Sequence, residues 1–223
     1  PRKVESQQIP VVFDPRVSNS MLGHFVGAIS GTSVARGTSF LKDRLGKQVF
    51  APGITIVDDP HRPRGLASKP FDGEGVVNRQ WLLADNGELT TWIMDSASAR
   101  QLGLATTGHA SRGTSGPPSP STTNLYMRPG TRGRDELLAD IGSGLYVTEL
   151  IGFGVNGVTG DYSRGAAGFW VDKGALSHPV SELTIAGNLK DMFLNMTPAD
   201  DLTFRYGSNA PTLRIDGLMV AGT

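Results

Sequence analysis

The sequence predicts an α+β fold: mostly antiparallel β-sheet, sandwich- or barrel-like, with a few short helices. Three observations lead there. Glycine (29) and proline (14) are spread along all 223 residues, which favours short strands joined by many turns. Two turn signatures, Asn86-Gly87 and Lys173-Gly174, each sit inside a strand-like run rich in tryptophan, leucine, valine and threonine. Helical patterning is confined to three short segments.

Taken in order, Ile9-Pro-Val-Val-Phe13 is an apolar run suited to a buried strand. Asp14-Pro15 then starts a helix, with aspartate as N-cap and proline at the first helical position. That helix places Val17, Met21, Leu22, Phe25, Val26 and Ile29 on one face, His24 on its flank, and Gly31 as a stop. In Gln80–Met94 a two-residue type I′ turn at Asn86-Gly87 sets Trp81 opposite Trp92 and Leu83 opposite Thr90. Leu82, Ala84, Leu89 and Thr91 fill the other face, so the hairpin is expected beneath a partner and not half in water.

Residues 108–123 are dominated by glycine, serine, threonine and proline and read as a mobile loop within the domain. Arg134–Ile141 is a short helix closed by Gly142 and Gly144. Gly168–Ser177 is a second hairpin, about Leu189 to Asn195 a last short helix, and Pro211–Val220 a closing strand. No internal repeat occurs, and residues 1–223 read as a single domain. The start at Pro1, without methionine, reads as a piece of a longer protein.

Composition narrows the function. Lysine plus arginine equals aspartate plus glutamate at 21 each, which argues against nucleic acid held by phosphate neutralisation. The absence of cysteine removes thiolate nucleophiles, disulfides and every cysteine-based zinc site. No apolar run is long enough to span a membrane and the first residues are polar, so no membrane role and a cytoplasmic location are expected.

The four histidines, His24, His61, His109 and His178, share no i, i+3 or i, i+4 spacing. His61 follows Asp58 and Asp59, whose oxygens suit a hard cation, although a solvated loop with turn prolines accounts for the same residues. Ser163 lacks a nucleophile elbow. Gly152-Phe-Gly-Val-Asn-Gly157 lacks the Lys-Ser/Thr of a phosphate loop and reads as backbone packed closely on a neighbouring strand or chain.

The run Thr148–Gly174, with Gly160-Asp-Tyr-Ser-Arg-Gly-Ala-Ala-Gly168 at its centre, and its continuation Ala175–Phe193 resemble the TldD/PmbA family. Ser39–Phe50, Asp59-Pro-His61, Phe71-Asp-Gly-Glu-Gly75, Ser98–Gly103 and Pro211–Ile215 carry the same resemblance, which spans the chain as a C-terminal half of the PmbA (TldE) branch. The resemblance implies a cytoplasmic TldD–TldE heterodimer acting as a metalloprotease on unfolded peptides, and a link to modulation of DNA gyrase. In the TldD branch a helix carries His-Glu-x-x-x-His, and a later cysteine completes the metal site. Laid on this chain, the two histidine positions fall on Gly23 and Ala28 and the glutamate on His24.

The resemblance therefore implies a subunit with no catalytic or metal residue of its own, whose TldD-like partner holds the zinc. Asp161, Tyr162, Arg164, Gly165 and Gly168 become candidate contacts to an extended peptide or to the partner, or else an internal turn held by its own Asp161–Arg164 pair. Self-association is the alternative when the partner is missing. Two other functions stay open: a self-sufficient hydrolase using Asp58, Asp59 and His61, and a gyrase-binding protein.

Overall fold

The computed structural model describes residues 2–222. The fold is α+β with antiparallel pairing dominant, as the sequence predicts. Contacts gather in two compact units: one is formed by residues up to Ser20, Arg128–Thr203 and the chain from Ala210, the other by Met21–Met127 with Phe204–Asn209.

The first elements are β1 (Gln7–Phe13) and α1 (Pro15–Ile29), followed by α2 (Gly31–Ala35). Next come β2 (Ile56–Asp58), β3 (Trp81–Asp85), β4 (Glu88–Leu89) and α3 (Ser96–Leu102). A small pair, β5 (Ala110–Ser111) and β6 (Ser119–Pro120), precedes β7 (Leu125–Met127). Then follow α4 (Arg134–Ala139), β8 (Ser143–Ile151), β9 (Asp161–Asp172), β10 (Ala175–Asn188) and α5 (Leu189–Leu194). The last strands are β11 (Met196–Pro198), β12 (Ser208–Asn209) and β13 (Leu213–Ala221).

In the first unit the order β1-β8-β9-β10-β13 closes on itself, because β13 also pairs with β1. Every contact in this ring is antiparallel except β1–β8. β11 lies against the Leu213–Ile215 end of β13. The β9–β10 hairpin turns at Lys173 (φ 48°) and Gly174 (φ 81°), the left-handed pair that a two-residue type I′ turn requires. The glycine spares one of those positions a Cβ penalty, so the turn expected from sequence forms where expected. The strands run far beyond the expected hairpin, and two register shifts in β10 absorb the mismatch at Pro179 and before Leu183. Val12, Leu138, Ile141, Tyr146 and Val171 form a buried cluster in this unit.

Asp14 caps α1 as expected: its carboxylate accepts from the Arg16 N–H at 3.0 Å and Nε at 2.8 Å, and from the Tyr146 hydroxyl at 2.8 Å. Burial pushes this carboxyl upward, but those hydrogen bonds outweigh it and hold its pKa below 3.8. Tyr146 is pushed up to about 12, first by burial and then by Asp14 beside it. Its folded pKa thus exceeds the unfolded value, and its contribution is complete below about pH 10. Between about pH 10 and 12 only the unfolded state loses the proton, so stability falls across that window. Denaturant titrations through it are expected to show the fall, and Tyr146→Phe to flatten part of it.

The second unit is built on the sheet β12-β7-β2-β3-β4. All three residues of the central β2 are buried. Asn86 (φ 48°) and Gly87 (φ 83°) make the expected turn, pairing Asp85 with Glu88 and Ala84 with Leu89. A Cβ on Gly87 would lie 2.5 Å from the Phe50 carbonyl oxygen. The ladder ends before the expected Trp81–Trp92 pair, because Ile93 hydrogen-bonds with Ile29 and Gly31. Met21, Leu22, Phe25, Ala28 and Ile29 of α1 are buried, and the Phe25 and Phe50 rings meet edge to face at 4.9 Å. Val17 and Val26, expected on the buried face, are only half-buried.

Helix α1 ends at Ile29, but Gly31 opens α2 instead of leading into a loop. A Cβ there would sit 2.7 Å from the Ser98 hydroxyl, so glycine lets α2 approach α3. The sequence reading missed α3: Asp95 caps it and Gly103 (φ 67°) closes it, yet Ser-Ala-Ser-Ala gives no apolar stripe to read. Within 108–123, read as a mobile loop, Ala110 pairs with Pro120 and Ser111 with Ser119, and His109, Ala110 and Thr123 are buried.

Candidate functional site

The connection between β8 and β9 folds back on its own sheet and frames an open cleft of 570 Å³. Val155 bridges to Tyr162, and the Ser163 N–H donates to the Gly154 carbonyl at 2.6 Å. A Cβ on Gly154 would lie 2.1 Å from the Ser163 oxygen, so only glycine permits this approach. Of the glycine run read as closely packed backbone, Gly154 alone is packed this way; Gly152 and Gly157 face open space. Asn156 ties the loop by accepting from the Val158 and Thr159 amides. The loop presents Phe153, 97% exposed, flanked by the exposed Ile151 and Val158. An apolar surface of this kind on a braced loop suits contact with another chain.

Of the five residues expected here, Asp161 and Tyr162 line the cleft, whereas Arg164, Gly165 and Gly168 do not. Asp161 and Arg164 are three apart on one strand, hence on opposite faces of it, and no Asp161–Arg164 pair forms. The Thr159 hydroxyl, at 2.6 Å, and the Asn188 amide hold Asp161 instead and keep its carboxyl below the usual range. Burial pushes the Tyr162 hydroxyl up to about 12. At neutral pH the cleft thus offers an ionised acceptor at Asp161, while the Tyr162 phenol stays protonated and buried on the other face of the strand. Arg164 turns to the same side of β9 as Tyr162, half-buried, with no hydrogen-bond partner for its Nε among the described residues. Gly168 serves the strand pairing: its Cβ would fall 1.9 Å from the Tyr146 oxygen.

On α1, Gly23 is exposed and a Cβ there would meet open space, while Ala28 is buried. The two positions lie about 140° apart around the helix, and neither side chain has a donor atom. His24 between them is half-buried. Among the described residues no group of three or more His, Asp or Glu side chains is placed to hold a metal.

Asp58, Asp59 and His61 are not brought together for chemistry. Asp59 accepts from the His61 N–H at 2.9 Å, a local turn, and His61 Nε2 faces Asn78. Asp58 turns into the interior and meets His109, 3.3 Å from Nε2, with both side chains 2% exposed. Thr123 donates to the same carboxylate through its N–H at 2.7 Å and its hydroxyl at 2.9 Å. His109 Nδ1 faces the Thr107 hydroxyl at 2.8 Å. No local spacing announces this pair, because 51 residues separate its members and His109 stands in a low-complexity run.

Residues 6–222 match the family described as PmbA/TldA metallopeptidase C-terminal domain. The whole chain is 44% identical to the metalloprotease PmbA of Escherichia coli O157:H7 and covers 48% of it. A crystal structure from Thermotoga maritima, named for a modulator of a DNA gyrase, aligns with TM-score 0.87 and 33% identity, over 99% of this chain and 51% of that one. TldE from Thermococcus kodakarensis shares the fold at TM-score 0.89 and 23% identity, over 98% of this chain and 51% of that one. The chain spans about half the length of the curated relatives it matches. Among the described residues no helix is long and apolar enough to cross a membrane.

Proposed function

The chain belongs to the PmbA/TldA metallopeptidase family, as its C-terminal domain, and from that premise we propose that it serves in a subunit without a metal site. A TldD-like partner supplies the zinc and the base, and the pair acts on unfolded peptides in the cytoplasm. The single observation that carries this reading is the donor set at α1, where Gly23 and Ala28 stand at the ligand positions implied by the TldD branch. No rotamer change gives either side chain a lone pair. The exposed Phe153 loop and the Asp161–Tyr162 cleft support a surface for the partner or for an extended peptide.

The test is zinc analysis of the purified protein together with a peptide-cleavage assay, run alone and with a His-Glu-x-x-x-His protein of the TldD branch. Less than stoichiometric zinc, no cleavage alone, and a rise in cleavage over the partner by itself are expected. Stoichiometric zinc with cleavage by this chain alone would overturn the reading.

A further inference from the structure

We propose that the second unit carries an anion pocket, formed by Arg62, Arg64 and Arg205, that takes acidic side chains of a peptide. That the anion belongs to a peptide rests on the peptidase reading above; that the pocket takes an anion rests on its own geometry. The three arginines, with Phe204 and Tyr206, line a pocket of 160 Å³ that contains no carboxylate. Among the described residues none of the three guanidinium groups has an ion pair or a side-chain hydrogen bond, although the chain as a whole carries as many acidic as basic residues. Three arginines lining one pocket, with no carboxylate among the lining residues, raise the local concentration of anions.

The pocket is built before any ligand arrives. The Asn124 side chain accepts from the Ala67 N–H at 2.9 Å and donates to the Asp59 carbonyl at 2.7 Å, fixing one wall. The Asn209 side chain accepts from the Arg205 and Tyr206 amides at 2.8 and 2.9 Å and donates to the Tyr206 carbonyl, fixing the other. Both asparagines are buried. The Arg62 guanidinium lies 3.6 Å over the Phe204 ring, which in turn rests edge-on against Tyr126 at 5.1 Å.

Arg64 adds an independent sign. The Gly65 N–H closes a turn onto the Arg62 carbonyl, with Pro63 and Arg64 at its central positions. Arg64 has φ 56°, the place in a type II turn where glycine is ordinary. An arginine held there in a sparsely populated conformation points to a requirement for its side chain. Guanidinium groups bind carboxylates through paired N–H donors, and the exposed faces of Phe204 and Tyr206 suit the aliphatic stem of a glutamate. The small volume fits one such group rather than the tracked backbone of a nucleic acid.

The test is calorimetric titration of the protein with an acetylated, amidated octapeptide carrying glutamates, and with the same peptide carrying glutamines. The glutamate peptide is expected to bind about tenfold more tightly, and less so at high salt. Arg62→Ala and Arg205→Ala each weaken it about three- to fivefold. Arg64→Gly weakens it similarly while leaving Tm no lower, because glycine relieves the turn; this separates a binding role from a structural one. Equal binding of the two peptides, or unchanged affinity in all three variants, would overturn the proposal. So would inorganic phosphate binding the same arginines more tightly than the glutamate peptide. The titration needs neither a partner nor cleavage, so failure of the peptidase assay and failure of this pocket are read separately.

Discussion

Replacing His109 with alanine is expected to destabilise the second unit by about 3–5 kcal/mol. The loss does not come from the attraction alone, since a buried carboxylate and imidazole give back in desolvation much of what they gain from each other. It comes from what stays behind. Asp58, 2% exposed, would keep the Thr123 donors but lose the group facing its Oδ2, and Thr107 would face a hole where the ring stood. Urea unfolding read at the tryptophans checks this, and a loss below about 1 kcal/mol would mean that water replaces the ring at no cost. Asp58→Asn should cost less, because the amide oxygen still accepts from Thr123.

Gly168→Val is expected to cost about 3 kcal/mol or more in the first unit. Gly168 pairs with Val147 in the β8–β9 ladder, and its Cβ would enter the space held by the Tyr146 carbonyl oxygen. Backbone on both strands must move, since no flexible side chain end is available to yield. Gly157→Ala is the control. A Cβ there meets nothing within 4 Å, and a change within about 0.5 kcal/mol is expected. Equal effects at the two positions in thermal unfolding would show that the ladder tolerates being spread.

Local chemistry made the turns and the first helix legible in the sequence. Asn86-Gly87, Lys173-Gly174 and Asp14-Pro15 each encode a backbone conformation within two residues, and each forms as read. The closure of the sheet was not legible, because it depends on β1 meeting β13, and no pattern in either strand names its partner. Nor was the full length of β9, where Arg164, Gly165 and Gly168 break the apolar alternation that marks a strand. Of the site, the glycine run at 152–157 and the missing donors at Gly23 and Ala28 could be read from residue type alone. The Asp58–His109 pair and the convergence of Arg62 and Arg64 with Arg205 could not, since both exist only once distant segments have met.

The seam between β1 and β13 also orders events during synthesis. Gln7 waits for Val220, so the ring stays open until β13, about 200 positions after β1, has left the ribosome. The second unit waits almost as long, since Met21–Met127 is completed only by Phe204–Asn209. Neither unit therefore has a finished nascent form to shelter the other. β8, β9 and β10 emerge as a three-stranded antiparallel meander whose β8 edge meets the earlier β1, and one late strand, β13, covers the remaining edges of β10 and β1.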